Sequence, residues 1–315
     1  MKLKLPFIIG ITLVCLGTSI KTLAQQNVIE VTSVRNNDNT VDIKYIKKMP
    51  GSYVVKLKFT NFNNTYVSDF EKVLKYDQGD LIRLNPENKE APINFAYSVS
   101  YSLGNNEPKV DSLFQYILPF KKRKKITVQE SNNVNEKYYG AEKIESWKSY
   151  SVSSKTPDSV YAMRKGIVVQ IKNEYQMDTL SRVIFTSKTN SVLIEHEDGT
   201  YAIYKGFKKD SFKVKLGDVV YPETMLGVLS KFDNSRHVLH FNIYYYDQNR
   251  KVDNTNATFK TAKSPYAYLT PYFYTKEGVI KIVPKDSYTA ESNATLITKE
   301  MSKREMKQHL KSKSI

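Results

Sequence analysis

Between Val41 and Leu103 the chain changes polarity at nearly every second residue. Val41, Ile43 and Tyr45 alternate with polar residues, as do Tyr53, Val55, Leu57 and Phe59, and again Phe95, Tyr97, Val99, Tyr101 and Leu103. Successive side chains of a strand point to opposite faces, so a period of two buries one face and wets the other. A helix would scatter these residues around its surface. The apolar members are β-branched or aromatic, which suits a pleated, half-buried sheet. Turn-forming stretches separate the runs: Met49-Pro50-Gly51, Asn61 to Thr65 and Asn105 to Pro108. The pattern predicts an antiparallel β-sandwich-like domain over residues 25–130. It contains no constellation of catalytic side chains, so a spacer or binding role is expected.

Residues 131–140 are polar and Asn-rich and read as a linker. From 141 to 262 the strands shorten and the turns multiply. Asp198-Gly199 between Ser191–Glu195 and Thr200–Tyr204 is a tight-turn signal. Val214 to Val220, with Gly217 at its bend, reads as a β-hairpin. The whole chain is expected to be all-β. Residues 263–315 form a C-terminal extension, aromatic at Tyr266, Tyr268, Tyr272, Phe273 and Tyr274, with a further strand pair near Gly278 to Val283. Leu296 to Ile315 has helical propensity but poor apolar spacing, which predicts a polar, solvated and mobile tail.

Residues 1–24 have the form of a secretory leader: Lys2 and Lys4, an apolar run from Phe7 to Gly17, then small residues at Thr22 and Ala24. The run is too short for a membrane span. The one cysteine, Cys15, lies inside it, which excludes disulfides and thiol chemistry downstream. A formal net charge of +16 on an exported chain suits anionic envelope polymers rather than nucleic acid. It also suits plain solubility. The basic run Lys121 to Lys125 reads either as a contact for phosphate or anionic glycan or, more simply, as a solvated strand edge.

Six short pieces stand in order: Val160-Tyr161-Ala162 before Gly166; Val192 to Gly199; Tyr204; Leu216 to Val220; Leu226-Gly227; and His240-Phe241. Together they resemble the lysostaphin/LytM-type zinc endopeptidases over roughly residues 143–247. The resemblance implies that family's duplicated hybrid motif fold. It also implies five functional positions: an H-x-x-x-D pair and the second histidine of H-x-H as zinc ligands, with the first histidine of H-x-H and the histidine of Y-x-H assisting the chemistry. Carried onto this chain, the H-x-x-x-D pair falls on Trp147 and Ser151. The Y-x-H histidine falls on Gly206, and the H-x-H pair on Val238 and His240. Tryptophan and valine offer zinc no lone pair. The first of the chain's four histidines is His196, so no upstream imidazole exists. His237 is three residues from His240, and a regular strand points the two to opposite faces.

The reading is therefore a degenerate groove of Trp147, Ser151, Gly206, Val238 and His240, with no catalytic residue, no metal and no cofactor. Trp147 is expected to plug it. Ligand contacts are expected at Tyr204, His237 and Trp147. The function implied is an exported protein of a bacterial periplasm or cell envelope that binds peptidoglycan or regulates a partner cell-wall hydrolase. Two alternatives remain: an active zinc metalloendopeptidase with atypical ligands, and a structural component of an envelope export or motility assembly.

Overall fold

Alternation becomes burial in the computed structural model, which describes residues 28–176, 188–233, 236–250, 252, 256–258 and 260–313. The expected leader, with Lys2, Lys4 and Cys15, lies outside these residues. Val41, Ile43 and Tyr45 are buried on one face of Val41–Lys47 (β2), which sits between Ile29–Arg35 (β1) and Gln78–Leu84 (β5). Tyr53, Val55, Leu57 and Phe59 point inward from Tyr53–Asn63 (β3), between Phe70–Leu74 (β4) and Asn94–Leu103 (β6). The two three-stranded antiparallel sheets share one core, completed by Leu74, Leu81, Leu84 and Ile93. On β6 the alternation is only half used: Phe95 and Tyr97 pack on Phe59, whereas Val99 and Tyr101 are exposed.

The second unit is built on a nine-stranded sheet. Its strands are Lys125–Glu130 (β8), Tyr150–Ser154 (β9), Gly166–Lys172 (β11), Asn190–Glu195 (β12), Tyr201–Phe207 (β13), Val219–Val220 (β14), His237–Tyr246 (β16) and Ser287–Thr289 (β20), with Tyr266–Tyr268 (β17). They run in the order β14-β11-β12-β13-β16-β9-β8-β20, and β17 pairs with β16. Ser159–Tyr161 (β10) pairs with Met225–Val228 (β15). Gln115–Ile117 (β7) lies parallel to Tyr272–Thr275 (β18), which forms a hairpin with Gly278–Lys281 (β19). Short helices occupy Val134–Tyr139 (α1) and Ala294–Thr298 (α2), and a longer one Lys303–Lys313 (α3). No helix among the described residues is long and apolar enough to cross a membrane.

Three expectations change here. The alternation pattern places the stretch 114–130 in the sandwich. Instead Phe114, Tyr116, Leu118, Phe120, Ile126 and Val128 enter the second core, beside Tyr150, Tyr204, Phe241 and Phe273. Alternation announces a strand but not the sheet that accepts it. The segment read as a linker carries α1, capped by the Asn133 side chain and closed by Gly140 in the left-handed region. The tail is docked rather than free. Ile297 and Met301 are buried, and Glu300 lies across the Arg164 guanidinium, with Nη2 to Oε1 at 2.7 Å and Nε 3.1 Å from both oxygens. Glu305 accepts from Lys165 at 3.0 Å and from the Tyr221 hydroxyl at 2.7 Å.

The basic run is a turn entering β8, on the sheet margin where β20 pairs. Lys122 is paired with Glu291 at 2.5 Å, and Lys124 is paired with Asp158. The sandwich meets the second unit at the buried Glu195, whose carboxylate accepts the Ser52 N–H at 2.7 Å.

Candidate functional site

Strand pairing sets the site. On β16, His237, Leu239, Phe241 and Ile243 share one face, and Leu239, Phe241 and Ile243 belong to the core. Val238, His240 and Asn242 share the other. His240 stands opposite Ser151 of β9 on one side and Lys205 of β13 on the other. Ser151 is opposite Gln129 of β8, and Lys205 is opposite Ser191 of β12. One transverse row therefore reads Ser191, Lys205, His240, Ser151, Gln129. The neighbouring rows place Ser153 beside Val238, and Asn242 beside Ile203.

Above this face lies a groove of about 510 Å³. Its floor holds Ser149, Ser151, Ser153, Lys205, His240 and Asn242. One wall is Ser131 to Asn135 at the start of α1, with Trp147, and another is Phe232 with Arg236. Of the five positions read from sequence, Trp147, Ser151, Val238 and His240 line it. Gly206 lines a small adjoining pocket together with Val238 and His240.

Trp147 does not plug the groove. Its indole N–H donates to the Ser131 carbonyl at 2.8 Å, and its ring packs on Tyr268 with centroids 4.7 Å apart. That anchoring makes it a wall. Tyr204 and His237, expected as ligand contacts, are on the core side. Tyr204 is fully buried and its hydroxyl accepts the Met163 N–H at 3.0 Å. His237 is 7% exposed, paired across from Ser154. His196 is buried too, with Nδ1 2.7 Å from the Lys165 carbonyl, so Nδ1 carries a proton and donates it, and burial, then the Arg164 charge, keep the ring neutral.

The residue that sequence reasoning missed is Lys205. It projects onto the groove face beside His240, and it has no carboxylate partner among the described residues. Its side chain is exposed to solvent; desolvation by the surrounding groove, and then the charge of Lys172, lower its pKa. Burial, and then the Lys205 charge, push His240 down to about 4, so its imidazole is neutral at physiological pH. The only available signal was strand parity: if Tyr204 faces the core, Lys205 faces away.

The donor set does not fit zinc. A structural or catalytic zinc needs at least three protein ligands among imidazole, thiolate and carboxylate. Here His240 is flanked by a hydroxyl and an ammonium. Among the described residues no three His, Cys, Asp or Glu side chains converge. The Y-x-H position is closed as well. Gly206 has φ +112°, and a Cβ there would lie 2.1 Å from the Val238 carbonyl oxygen. No side chain fits without moving β16 or the bulge at Gly206.

Residues 145–254 match the family model of Peptidase family M23. No curated protein matches the chain. Among solved structures, similarity extends to the SpoIIQ–SpoIIIAH pore-forming complex (18% identity, 48% of this chain and 93% of that one, TM-score 0.26). It extends also to a putative glycyl-glycine endopeptidase LytM from Ruminococcus gnavus (17% identity, 47% of this chain and 57% of that one, TM-score 0.27). Csd3 of Helicobacter pylori is similar at 9% identity, over 90% of this chain and 82% of that one, with a TM-score of 0.27. These likenesses are too weak to carry a conclusion about activity. Trp147, Ser151, Lys205, Val238 and His240 all lie within residues 145–254, the stretch that matches the Peptidase family M23 model.

Proposed function

We propose that the M23-type domain is a non-catalytic binding module of the bacterial cell envelope, gripping peptidoglycan or docking a partner cell-wall hydrolase. The observation that supports it most is the row Ser151, His240, Lys205. A metallopeptidase polarises its scissile carbonyl and activates a water with a divalent cation held by several anionic or imidazole donors. This groove offers one neutral imidazole between a serine and a lysine. An ammonium there repels a second cation, and it cannot lower the pKa of a water as a metal does. The remaining equipment is that of recognition. Hydroxyls and carboxamides line the floor, an indole and a phenyl ring stand in the walls, and a volume of about 510 Å³ is ample for several residues of a peptide. Export through the leader at residues 1–24 and residence in the periplasm or envelope are part of this reading.

The test is co-sedimentation of the purified protein with insoluble peptidoglycan, followed by assay of the supernatant for released fragments. The expected result is retention on the pellet with no release above a buffer control. Release of soluble fragments that stops with chelator would overturn the non-catalytic reading. Absence of retention, with capture of a hydrolase instead, would select the docking form of the proposal.

A further inference from the structure

Four strands form the edges of the sandwich: β1 and β5 on one sheet, β4 and β6 on the other. Three of them carry charges of both signs. Strand β1 holds Glu30 and Arg35, β4 holds Glu71 and Lys72, and β5 holds Asp80 and Arg83. Charges of this kind keep an edge from pairing with another chain. Strand β6 is the longest of the four at 10 residues, and its sequence, NFAYSVSYSL, has no charged residue, proline or glycine. On one side it pairs with β3. On the other, no backbone N–H or C=O of the strand is bonded to a described residue. Burial points the same way. Opposite each other across the ladder stand Leu57 and Val99, and Val55 and Tyr101. Leu57 and Val55 are 1% and 0% exposed, whereas Val99 and Tyr101 are 38% and 39% exposed. The covered apolar face ends at β3 and leaves the middle of β6 bare.

We propose that β6 pairs with the β6 of a second copy of this chain, antiparallel about a two-fold axis at Val99, and joins two three-stranded sheets into one. The strand is complementary to itself in that register. Directly opposed side chains of an antiparallel pair share a face. Val99 meets the second copy's Val99, Tyr97 its Tyr101 and Phe95 its Leu103, all on the inner face, while Ser98 meets its Ser100 on the outer one. A two-fold contact of like with like is the commonest way for soluble chains to assemble. Pairing over Phe95 to Leu103 exchanges roughly eight to ten backbone hydrogen bonds, the number a specific interface carries. Charge selects the same occupant. Two copies with a formal net charge of +16 each repel one another, and a stretch without charge is where that repulsion is least. The dimer presents two grooves side by side in one particle, which raises avidity for any repeating ligand. It does not depend on what either groove binds.

Sedimentation equilibrium of the full mature protein across a concentration series reads the association, and the expected result is a reversible monomer–dimer equilibrium. Val99→Lys and Val99→Glu each bring like charges together at the axis, from a position 38% exposed in the single chain, and each is checked for unchanged circular dichroism. Either one should weaken self-association by at least about 10-fold, and an equimolar mixture of the two should recover it to within about 3-fold of wild type. Val99→Cys should form a disulfide-linked dimer under mild oxidation, because directly opposed residues of an antiparallel pair lie within bridging range. Tyr66→Cys, outside the strand and 85% exposed, should cross-link far less. Cys15, in the expected leader, is the one native cysteine, so each mature variant carries a single thiol. A monomer at every concentration, a Val99→Lys protein that dimerises as tightly as wild type, or no recovery on mixing overturns the proposal. Equal cross-linking of the two cysteine variants overturns the register at Val99.

Discussion

Replacing Glu300 by glutamine asks whether the C-terminal segment is part of the fold. Arg164 is 3% exposed at its side chain, Asp198 9% and Glu300 15%. The guanidinium gives Nη1 to Asp198 at 2.8 Å and Nη2 to Glu300 at 2.7 Å, and it lies 3.7 Å from the centre of the Phe114 ring. Burial opposes the Arg164 charge, and the bonds to Glu300 and then the neighbouring charges outweigh it. Removing one partner of a buried ion pair typically costs about 3–5 kcal/mol. Asp198 remains and glutamine still accepts a hydrogen bond, so Glu300→Gln should cost about 2–3 kcal/mol. At roughly 2–4 °C per kcal/mol, the melting temperature should fall by about 4–12 °C. The assay is denaturant and thermal unfolding followed by circular dichroism, completed as a cycle with Arg164→Met. The double variant should recover about 1–3 kcal/mol relative to the sum of the single ones, because it leaves no unpaired guanidinium. A loss below about 0.5 kcal/mol, the range of an exposed pair, would refute the buried clamp and restore the free tail.

Gly206→Ala should destabilise by at least about 2 kcal/mol, from the positive φ and the 2.1 Å approach to the Val238 carbonyl, read as a lowered denaturant midpoint. Tyr204→Phe should cost about 1–3 kcal/mol in the same measurement by orphaning the buried Met163 N–H, with no effect on ligand binding. Acid should destabilise the fold through its buried imidazoles. Burial, and then Arg164, hold His196 down to about 3, and burial, then Lys205, hold His240 down to about 4. Unfolded histidine takes its proton near 6.5. The unfolded chain therefore binds more protons below that pH, so stability is full above 6.5 and falls progressively toward pH 4. His196→Gln should flatten that slope between pH 6.5 and 4 in equilibrium unfolding, and an unchanged slope would contradict the neutral buried ring.

The sequence carried the local periodicities well. Val41, Ile43 and Tyr45, or Tyr53 through Phe59, declare their faces because burial on one side of a strand leaves a period of two. Motif spacing also brought Ser151 and His240 to one place, and strand pairing sets them directly opposite each other. It could not see Lys205, because its importance arises only when β13 pairs with β16 at one register. It misjudged Tyr204, taken from the Y-x-H resemblance, and His237, taken from its nearness to His240, since their strand parity sends both inward. Phe114 to Val128 was placed in the wrong sheet, since alternation does not name a partner. The docked tail left no trace because Glu300 and Glu305 bind cations more than a hundred residues away. Contacts at that range impose no period on the sequence.

The central claim is that an ammonium and a hydroxyl flank His240 where a metallopeptidase needs ligands. The most direct test is metal analysis by plasma mass spectrometry of the purified protein after equilibration with excess zinc and exhaustive dialysis. The expected result is zinc far below one equivalent, unchanged in His240→Ala. One tightly held equivalent in the wild type, lost in His240→Ala, would contradict it.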